Sequence, residues 1–344
     1  MARSNWMLYG AYGRTGRLIL DEAVRRGHRP LLAGRDAAQI KALGASTGLD
    51  AVHLPLDDAA KLRAALSNVS AVMLAAGPYH QTGPLMRAAC IDAGCSYLDI
   101  NGELEDFHQA LAADAAARAA GIAIIPGAGY GVIFGESLAA QVARRAPAAT
   151  WLRLSLATQT DGHSRGANLS VAAAMSAGGH DISKGALRRL PIASPTWHAP
   201  SRDGARGMAF AGAPLAELVA AHRSTGIPNV VAGIPMSRVA ATFVRLTGPL
   251  LATFMGRFGG RRSTPSEAAA TNLQSRIWAE AGNTSGTIAA GVLETGEGYR
   301  AAAFVAMEAM EQQLREPRVG ALTPVQAFGA DLALRVPGTR IQEL

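Results

Sequence analysis

Lysine is nearly absent from this 344-residue chain. Its 33 basic residues include only Lys41, Lys61 and Lys184, and the rest are arginines spread along the whole length. The net charge is +7, but no clustered basic tail is present, so the sequence argues against a nucleic-acid partner. A diffuse positive field instead favours an anionic cofactor or substrate.

The scarcity of lysine also excludes one reductase mechanism. Short-chain dehydrogenases need a Tyr-x-x-x-Lys pair, in which the lysine lowers the pKa of the tyrosine. The six tyrosines are followed four positions later by glycine, asparagine, phenylalanine or alanine, and never by lysine. The lysine of an amino-acid dehydrogenase has no obvious candidate either, because Lys41 and Lys61 fall on predicted helices of the first domain.

Cysteine and long apolar runs are scarce as well. Cys90 and Cys95 match neither a CxxC pair nor a metal-ligand pattern, so we expect buried reduced thiols and no metal site. The apolar part of the N-terminus is too short for a signal peptide. Arginines interrupt the most apolar stretch, residues 230–258, before it reaches the roughly 20 apolar residues of a membrane span. We therefore expect a cytoplasmic protein without a membrane span.

Strand and helix patterns alternate through the first 130 residues. "NWMLYG", "RPLLAGRD", "LDAVHLPLDD", "SAVMLAAGPY", "SYLDING" and "IAIIPGAGYG" are predicted strands, and apolar residues at helical spacing lie between them. The last of the intervening segments, "LEDFHQALAADAAARAAG", is predicted as one long helix. This alternation indicates an α/β fold with a parallel sheet and helices on both faces.

The turn after the first predicted strand is rich in glycine. "LYGAYGRTGR" holds Gly10, Gly13 and Gly16 between the strand and the first helix. Glycines at this place allow a tight turn and let backbone N–H groups approach a pyrophosphate at the helix N-terminus. The spacing is GxxGxxG, a variant of the GxGxxG dinucleotide fingerprint. The sequence therefore predicts a dinucleotide site.

The end of the second predicted strand bears on the choice of nicotinamide cofactor. An acidic residue there binds the ribose 2′-hydroxyl of NAD, whereas an arginine accepts the 2′-phosphate of NADP. "AGRD" places Arg35 at this point, which favours NADP(H). Asp36 follows it, and we expect Asp36 to cap the next helix.

The segment "VMLAAGPYHQTGPLMRAACIDAGCSYLDINGE" resembles the saccharopine dehydrogenase-like oxidoreductases. "GAYGRTGRL" and "AGR" extend the likeness, and "GEGYRAAA" with "GALTPVQAFGADL" is similar to the branch that includes trans-acting enoyl reductases. The resemblance implies a Rossmann domain over residues 1–130, with residues 318–344 returning to it. It also implies a second, mixed α/β domain over residues 131–317 for the substrate or for oligomerisation.

The candidate site residues fall at the predicted carboxyl ends of the strands. The proton donors considered are Tyr79, His80, Tyr130, His163 and Tyr299, and the first four of these are the catalytic candidates. For Asp99, Asn101 and Glu103, hydrogen bonds that order the loop are the favoured role. The predicted cofactor contacts are Gly10, Tyr12, Gly13, Arg14, Thr15, Gly16, Arg35, Asp57, Ala76, Gly77 and Pro78.

The apolar stretch 230–258 has two interpretations. Val239, Phe243, Leu246, Leu250, Phe254 and Phe258 recur at roughly helical spacing, with arginines around them. An amphipathic core helix explains this pattern, and so does a mobile lid over an apolar substrate whose anionic or carrier-linked end meets the arginines.

The function hypothesis is an NADPH-dependent reductase of a polarised double bond. Reduction of an enoyl C=C bond of a largely apolar or carrier-linked small molecule is preferred, because the C-terminal resemblance points to it. The alternatives are a C=N reductase or an amino-acid-forming dehydrogenase, and a non-catalytic NADPH-sensing protein. The sequence leaves the oligomeric state open, with a homodimer as one option.

Overall fold

The computed structural model describes residues 6–159, 178–201, 207–247 and 273–344, which form two compact units. Unit 1 holds the described residues up to Asn101, then Glu105–Tyr130 and Tyr299–Phe328. Unit 2 holds Gly102–Leu104, the described residues between Gly131 and Gly298, and Gly329–Leu344. The chain leaves unit 1 after Tyr130 and returns to it at Tyr299. Of the segment 318–344 expected to return, residues 318–328 lie in unit 1 and residues 329–344 in unit 2.

Unit 1 is built on a seven-stranded sheet in which every pair is parallel, in the order β15-β6-β5-β4-β1-β2-β3. Its strands are β1 (Trp6–Tyr9), β2 (Leu31–Gly34), β3 (Ala51–His53), β4 (Ala71–Leu74), β5 (Ser96–Asp99), β6 (Ala123–Ile125) and β15 (Gly320–Ala321). Read across the sheet, the strands β3-β2-β1-β4-β5-β6 have the order of a doubly wound fold. The switch point of this order lies between β1 and β4. The predicted fold class is confirmed.

Helices connect these strands. They are α1 (Arg14–Arg25), α2 (Ala37–Thr47), α3 (Ala59–Leu66), α4 (Tyr79–Ala93), α5 (Leu104–Ala112), α6 (Asp114–Ala119) and the C-terminal helices Gly298–Arg315 and Pro324–Phe328. The four residues of β1 are at most 1% exposed, as expected for a strand of a parallel sheet covered on both faces. On its inner side, α1 buries Ile19, Leu20 and Ala23.

Ionic contacts join the helix Gly298–Arg315 to the rest of unit 1. Arg26 donates to the carboxylates of Glu308 and Glu311 at 2.5 and 2.8 Å. The Arg26 guanidinium also lies 4.2 Å from the ring centroid of Phe304. Because these groups are largely shielded from water, the cluster is held more firmly than an exposed ion pair.

Unit 2 has a nine-stranded mixed sheet. Its main path is β10-β11-β12-β7-β13-β14-β16, with β8 paired to β12 and β9 paired to β8. The β12–β7 pair is parallel and the other pairs are antiparallel. The strands are β7 (Trp151–Ala157), β8 (Gly179–Ser183), β9 (Ala186–Leu190), β10 (Thr196–His198), β11 (Ala209–Gly212), β12 (Val230–Pro235), β13 (Ser275–Asn283), β14 (Gly286–Thr295) and β16 (Arg340–Glu343). The helices include α7 (Tyr130–Arg145), Glu217–Thr225 and a 3-10 turn, Leu332–Arg335.

Three local predictions differ from the structure. The long helix expected after β5 is two helices, α5 and α6, which break at Ala113. Tyr79 and His80, expected at the carboxyl end of the fourth predicted strand, are the first residues of α4. Residues 230–235 of the apolar stretch form β12, and residues 238–247 form a separate helix.

In the described part of the apolar stretch, the helix face that the spacing predicts to be buried is exposed. Val239, Phe243 and Leu246 are 82, 60 and 77% exposed. Their spacing puts them on one face of the helix, and that face is turned to solvent. Leu250, Phe254 and Phe258 lie outside the described residues.

None of the helices in the described part of the chain is long and apolar enough to cross a membrane. Within the same residues, no group of three or more histidine, cysteine or acidic side chains could hold a metal ion. Cys90 and Cys95 are free and buried, and burial raises the pKa of the Cys90 thiol well above its usual value.

Candidate functional site

The glycine turn joins β1 to α1, as the sequence predicts. Gly10 has a φ of 84° and donates its N–H to the Ala33 carbonyl at 2.8 Å. Gly13 closes the turn by donating to the Gly10 carbonyl at 2.9 Å, and α1 begins at Arg14. This is the strand-turn-helix context that a dinucleotide fingerprint requires.

The three glycines serve different purposes. A Cβ on Gly10 would lie 2.8 Å from the Ala76 Cβ, and a Cβ on Gly16 would overlap the Gly10 carbonyl. Both glycines are therefore required by the packing of the turn itself. A Cβ on Gly13 would meet the Gly10 oxygen at 3.2 Å, a tight contact but not an overlap. Gly13 is thus the glycine whose side-chain-free surface is most available to a ligand.

The N-terminus of α1 is suited to an anion. Gly13 is the N-cap residue and has no side chain with which to cap the helix. The first turn, Arg-Thr-Gly-Arg, includes Arg14 and Thr15 and carries no acidic residue. The N-caps of α2 and α3, by contrast, are Asp36 and Asp58, whose carboxylates accept backbone N–H groups. Helix N-terminal N–H groups and the helix dipole attract phosphate, so this turn fits a pyrophosphate.

Arg35 and Asp36 have separate roles at the end of β2. Asp36 accepts the N–H groups of Ala38 and Gln39 at 3.0 Å, so it caps α2 as predicted. These bonds, that of Gln39 first, lower the pKa of the Asp36 carboxyl. The Arg35 side chain is exposed, and its guanidinium is available at the place where a 2′-phosphate is recognised.

Tyr12 connects the glycine turn to the end of β2. Its ring lies against Gly34, where any Cβ would overlap the ring edge. Its hydroxyl oxygen accepts the Asp36 N–H at 3.2 Å. The structure thereby brings together three predicted cofactor contacts, the glycine turn, Tyr12 and Arg35.

Asp57 is exposed and follows β3 in the same unit. The pKa of the Tyr9 phenol is raised, first of all by burial. The negative charge of Asp57 also raises this pKa, whereas the positive charge of Arg35 lowers it. The Tyr9 hydroxyl donates to the Leu54 carbonyl at 2.8 Å. The charges of Arg35 and Asp57 therefore both act on the pKa of one buried phenol, in opposite directions.

The segment after β4 carries the next predicted contacts. The Ala75 N–H donates to the Tyr9 carbonyl at 2.8 Å, which aligns this segment with the glycine turn. Ala76, Gly77 and Pro78 then lead into α4, and the Thr82 hydroxyl donates to the Ala76 carbonyl at 2.6 Å. These bonds hold the backbone beside Gly10 in one conformation.

The proton-donor candidates differ in exposure. Tyr79 and Tyr130 are 9 and 8% exposed and begin α4 and α7 respectively. His80 is exposed, and its Nε2 lies 3.3 Å from the Gln81 amide nitrogen. His163 lies outside the described residues. The two tyrosines each follow the carboxyl end of a strand, β4 and β6.

Asp99 orders the loops at the ends of β5 and β6. Its Oδ1 accepts the N–H groups of Asn101 and Gly127 at 2.8 and 2.7 Å, and its Oδ2 accepts the Tyr97 hydroxyl. Burial raises the pKa of the Asp99 carboxyl to about 6 in spite of these bonds. Asn101 in turn donates to Asp106, which forms a buried pair with Arg87. This network is the loop-ordering role expected for Asp99 and Asn101.

Glu217, a residue that sequence reasoning missed, is a buried carboxyl in unit 2. It is 4% exposed, and burial raises its pKa to about 7. Gly131 and Gly135, one turn apart on α7, make room for it, because a Cβ on Gly131 would overlap Oε1. Within the part of the chain that the structure describes, Oε2 has no hydrogen-bond partner. The glycine pair in "GYGVIFGE" was the available signal, but nothing in the sequence shows what those glycines contact.

The first third of the chain is similar in sequence to known proteins. The family model described as NAD(P)H-binding matches residues 10–124, which include the glycine turn, Arg35 and Tyr79. Trans-acting enoyl reductases of Mycobacterium tuberculosis and Mycobacterium bovis are 34% identical over 125 residues. That match covers 33% of this chain and spans 30% of the length of those relatives.

Two solved structures resemble the whole chain. Saccharopine dehydrogenase (L-Glu forming) from Saccharomyces cerevisiae has a TM-score of 0.65, covering 99% of this chain and 100% of its own, at 13% identity. The homospermidine synthase of Legionella pneumophila, solved in complex with NAD, has a TM-score of 0.64 at 8% identity. It covers 99% of this chain and 92% of its own.

The chain therefore has an NAD(P)H-binding domain over residues 10–124 and the fold of saccharopine dehydrogenase. This confirms the predicted resemblance, the fold with its second mixed domain, and the nicotinamide dinucleotide as cofactor class. Three features of the structure also fit a nicotinamide dinucleotide. They are a turn from which side chains are excluded, a helix N-terminus without a side-chain cap, and an exposed arginine at the end of β2.

Proposed function

We propose that this protein is an NADPH-dependent oxidoreductase that reduces the C=C bond of an enoyl substrate. The observation that carries the proposal is the arrangement of the glycine turn, Tyr12 and exposed Arg35 at the carboxyl edge of the parallel sheet. The similarity to trans-acting enoyl reductases supports the choice of reaction. A largely apolar or carrier-linked small molecule is the proposed substrate.

Arg35 supports NADPH over NADH. A guanidinium forms charge-assisted hydrogen bonds to a 2′-phosphate and also stacks on an adenine ring. The neighbouring carboxylate, Asp36, is engaged by the N-terminus of α2 and by the Gln39 side chain at 2.8 Å. It is therefore less suited to receive the ribose 2′-hydroxyl as the acidic residue of an NAD site does.

Residues of the chain would bind the dinucleotide and donate the proton to the substrate. The turn at Gly10, Gly13 and Gly16 would hold the pyrophosphate, with Ala76, Gly77 and Pro78 beside it. When bound, NADPH supplies the hydride. Tyr79 and Tyr130 are the leading proton donors, since both are largely buried phenols at strand ends, and His80 and His163 are the other candidates.

Oxidation of NADPH at 340 nm tests the proposal. The panel consists of enoyl thioesters, enones and imines, with the saturated acyl thioester of equal length as the matched control. We expect turnover with an enoyl thioester and none with its saturated counterpart. With NADPH deuterated at C4, the label should appear at the β-carbon of the product.

The other reactions are outcomes of the same experiment. Turnover with imines but not enoyl thioesters would replace C=C reduction by C=N reduction or amino-acid formation. Tight NADPH binding without turnover of any acceptor would favour a cofactor-sensing protein.

A further inference from the structure

Arg14 and Tyr299, which are far apart in the sequence, are in contact within unit 1. Arg14 is the first residue of α1, and Tyr299 is the second residue of the helix Gly298–Arg315. The guanidinium carbon lies 4.0 Å from the centroid of the tyrosine ring. This distance is well within the range of a cation–π interaction. Both residues are half-buried, so the contact is partly shielded from water.

The position of Arg14 is unfavourable for α1 itself. The N-terminus of a helix carries the positive end of the helix dipole, where cations are disfavoured and anions are stabilising. The first turn of α1 nevertheless carries Arg14 and Arg17, and it carries no acidic side chain. Arg17 turns back to the Tyr12 carbonyl, to which its Nε donates at 3.3 Å. The charge pattern of this turn is suited to an external anion rather than to the helix.

We propose that Tyr299 is a positioning residue that holds Arg14 against the pyrophosphate of the bound dinucleotide. The inference rests on the proposed function, because it places the pyrophosphate at Gly10, Gly13 and Gly16. The ring occupies one face of the guanidinium, while charge-assisted bonds to phosphate use its N–H edge, so both contacts are made together. Tyr299 then acts through Arg14, which differs from the proton-donor role considered from the sequence.

In this proposal Arg14 and Arg35 bind different phosphate groups of the cofactor. The pyrophosphate is common to NADPH and NADH, so the Arg14–Tyr299 pair contributes equally to both. Arg35 acts on the 2′-phosphate, which NADH lacks. Loss of a cation–π contact corresponds to a change of about 2- to 30-fold in affinity, depending on its exposure to solvent.

Dissociation constants for NADPH, NADH and adenosine 2′-monophosphate test the inference. The last probe carries the 2′-phosphate but no pyrophosphate. The variants are Tyr299→Leu, Tyr299→Phe, Arg14→Gln and the Arg14→Gln/Tyr299→Leu double variant. We expect Tyr299→Leu to weaken both dinucleotides by about 2- to 30-fold and to leave adenosine 2′-monophosphate unchanged. Tyr299→Phe keeps the ring and should stay within about 2-fold of the wild type.

The double variant separates positioning from an independent effect. If Tyr299 acts through Arg14, the double variant binds the dinucleotides as weakly as Arg14→Gln alone. Additive losses would overturn the inference, and so would equal losses in Tyr299→Phe and Tyr299→Leu. If Tyr299→Leu does not fold, unchanged dinucleotide affinity in Arg14→Gln would overturn it. A wild type that binds neither dinucleotide would refute the proposed function as well. If the wild type binds the dinucleotides and substitution of Arg14 or Tyr299 leaves their affinity unchanged, this inference alone is refuted.

Discussion

The hydroxyl of Tyr12 accepts the backbone N–H of Asp36 at 3.2 Å, and this bond links the glycine turn to the end of β2. The two segments form the pyrophosphate and 2′-phosphate parts of the proposed cofactor site. Gly34 permits the link because its lack of a Cβ leaves room for the Tyr12 ring. The Tyr12 contacts thus fix the glycine turn relative to the end of β2.

Replacing Gly13 by valine tests the turn. The structure leaves more room at Gly13 than at Gly10 or Gly16, so we expect the variant to fold while its side chain blocks the pyrophosphate. Fluorescence titration should detect no NADPH binding. Gly296→Val is the matched control, because a Cβ there meets nothing within 4 Å. Wild-type affinity in a folded Gly13→Val protein would contradict the site.

The proton donor is tested by removing single hydroxyls. Tyr79→Phe or Tyr130→Phe should lower kcat by about 100- to 10,000-fold if that residue is the general acid. Tyr97→Phe is the control, since the Tyr97 hydroxyl donates to Asp99 and should affect stability rather than rate. If both variants keep near-wild-type turnover, then neither tyrosine delivers the proton, and water, His80 or His163 remains.

The Asp99 network predicts a difference between two substitutions. Asparagine keeps one oxygen for the N–H groups of Asn101 and Gly127, both of which bond to the same carboxylate atom. Alanine leaves both buried donors without an acceptor, at about 1–3 kcal/mol each. Urea unfolding should therefore show that Asp99→Ala is destabilised by about 2–6 kcal/mol and Asp99→Asn by much less. Equal losses would show that the carboxylate charge, not the acceptor geometry, stabilises the loops.

Glu217 predicts a pH dependence of stability. Its pKa is raised to about 7 in the folded protein, against 4.5 for an ordinary glutamate. Its contribution to stability is present in full below pH 4.5 and is lost as the pH rises to about 7, because burial then opposes ionisation. The Tm of Glu217→Gln relative to the wild type should therefore increase between pH 5 and pH 8.

The matched control for this pH series is Glu316→Gln. Glu316 is exposed, and its hydrogen bond from Arg318 lowers the pKa of its carboxyl. Its substitution should produce no such rise in relative Tm. A constant Tm difference between Glu217→Gln and the wild type across this pH range would show that Glu217 titrates normally.

The sequence predicts unit 1 well because its signals are local. Each signal involves residues close together in the sequence. The glycines between a strand and a helix predict the turn, and an aspartate before a helix predicts the Asp36 cap. The alternation of apolar strand and helix patterns predicts the parallel sheet. The start of α4 at Tyr79 was missed because "GPYH" has the composition of a turn. Asp99 could be placed at a strand end, but the donors that surround it come from Tyr97, Asn101 and Gly127.

Unit 2 depends on contacts between distant segments. Glu217 is buried against Gly131 and Gly135, more than 80 positions earlier in the chain, and no local pattern encodes that pairing. The apolar spacing of Val239, Phe243 and Leu246 does indicate a helix, and one forms over residues 238–247. Spacing identifies the face but not what that face contacts, so the expected burial did not follow.

The most direct test of the account is the cofactor preference of Arg35→Ala. Dissociation constants and kcat/KM for NADPH and NADH are measured in the wild type, in this variant and in Arg63→Ala, which removes an exposed arginine of α3. A charge-assisted bond to the 2′-phosphate is worth about 1.5–3 kcal/mol, so NADPH should weaken by about 10- to 150-fold in Arg35→Ala while NADH stays unchanged. Arg63→Ala should match the wild type. A wild type that already prefers NADH, or an Arg35→Ala variant that weakens both cofactors equally, would contradict the account.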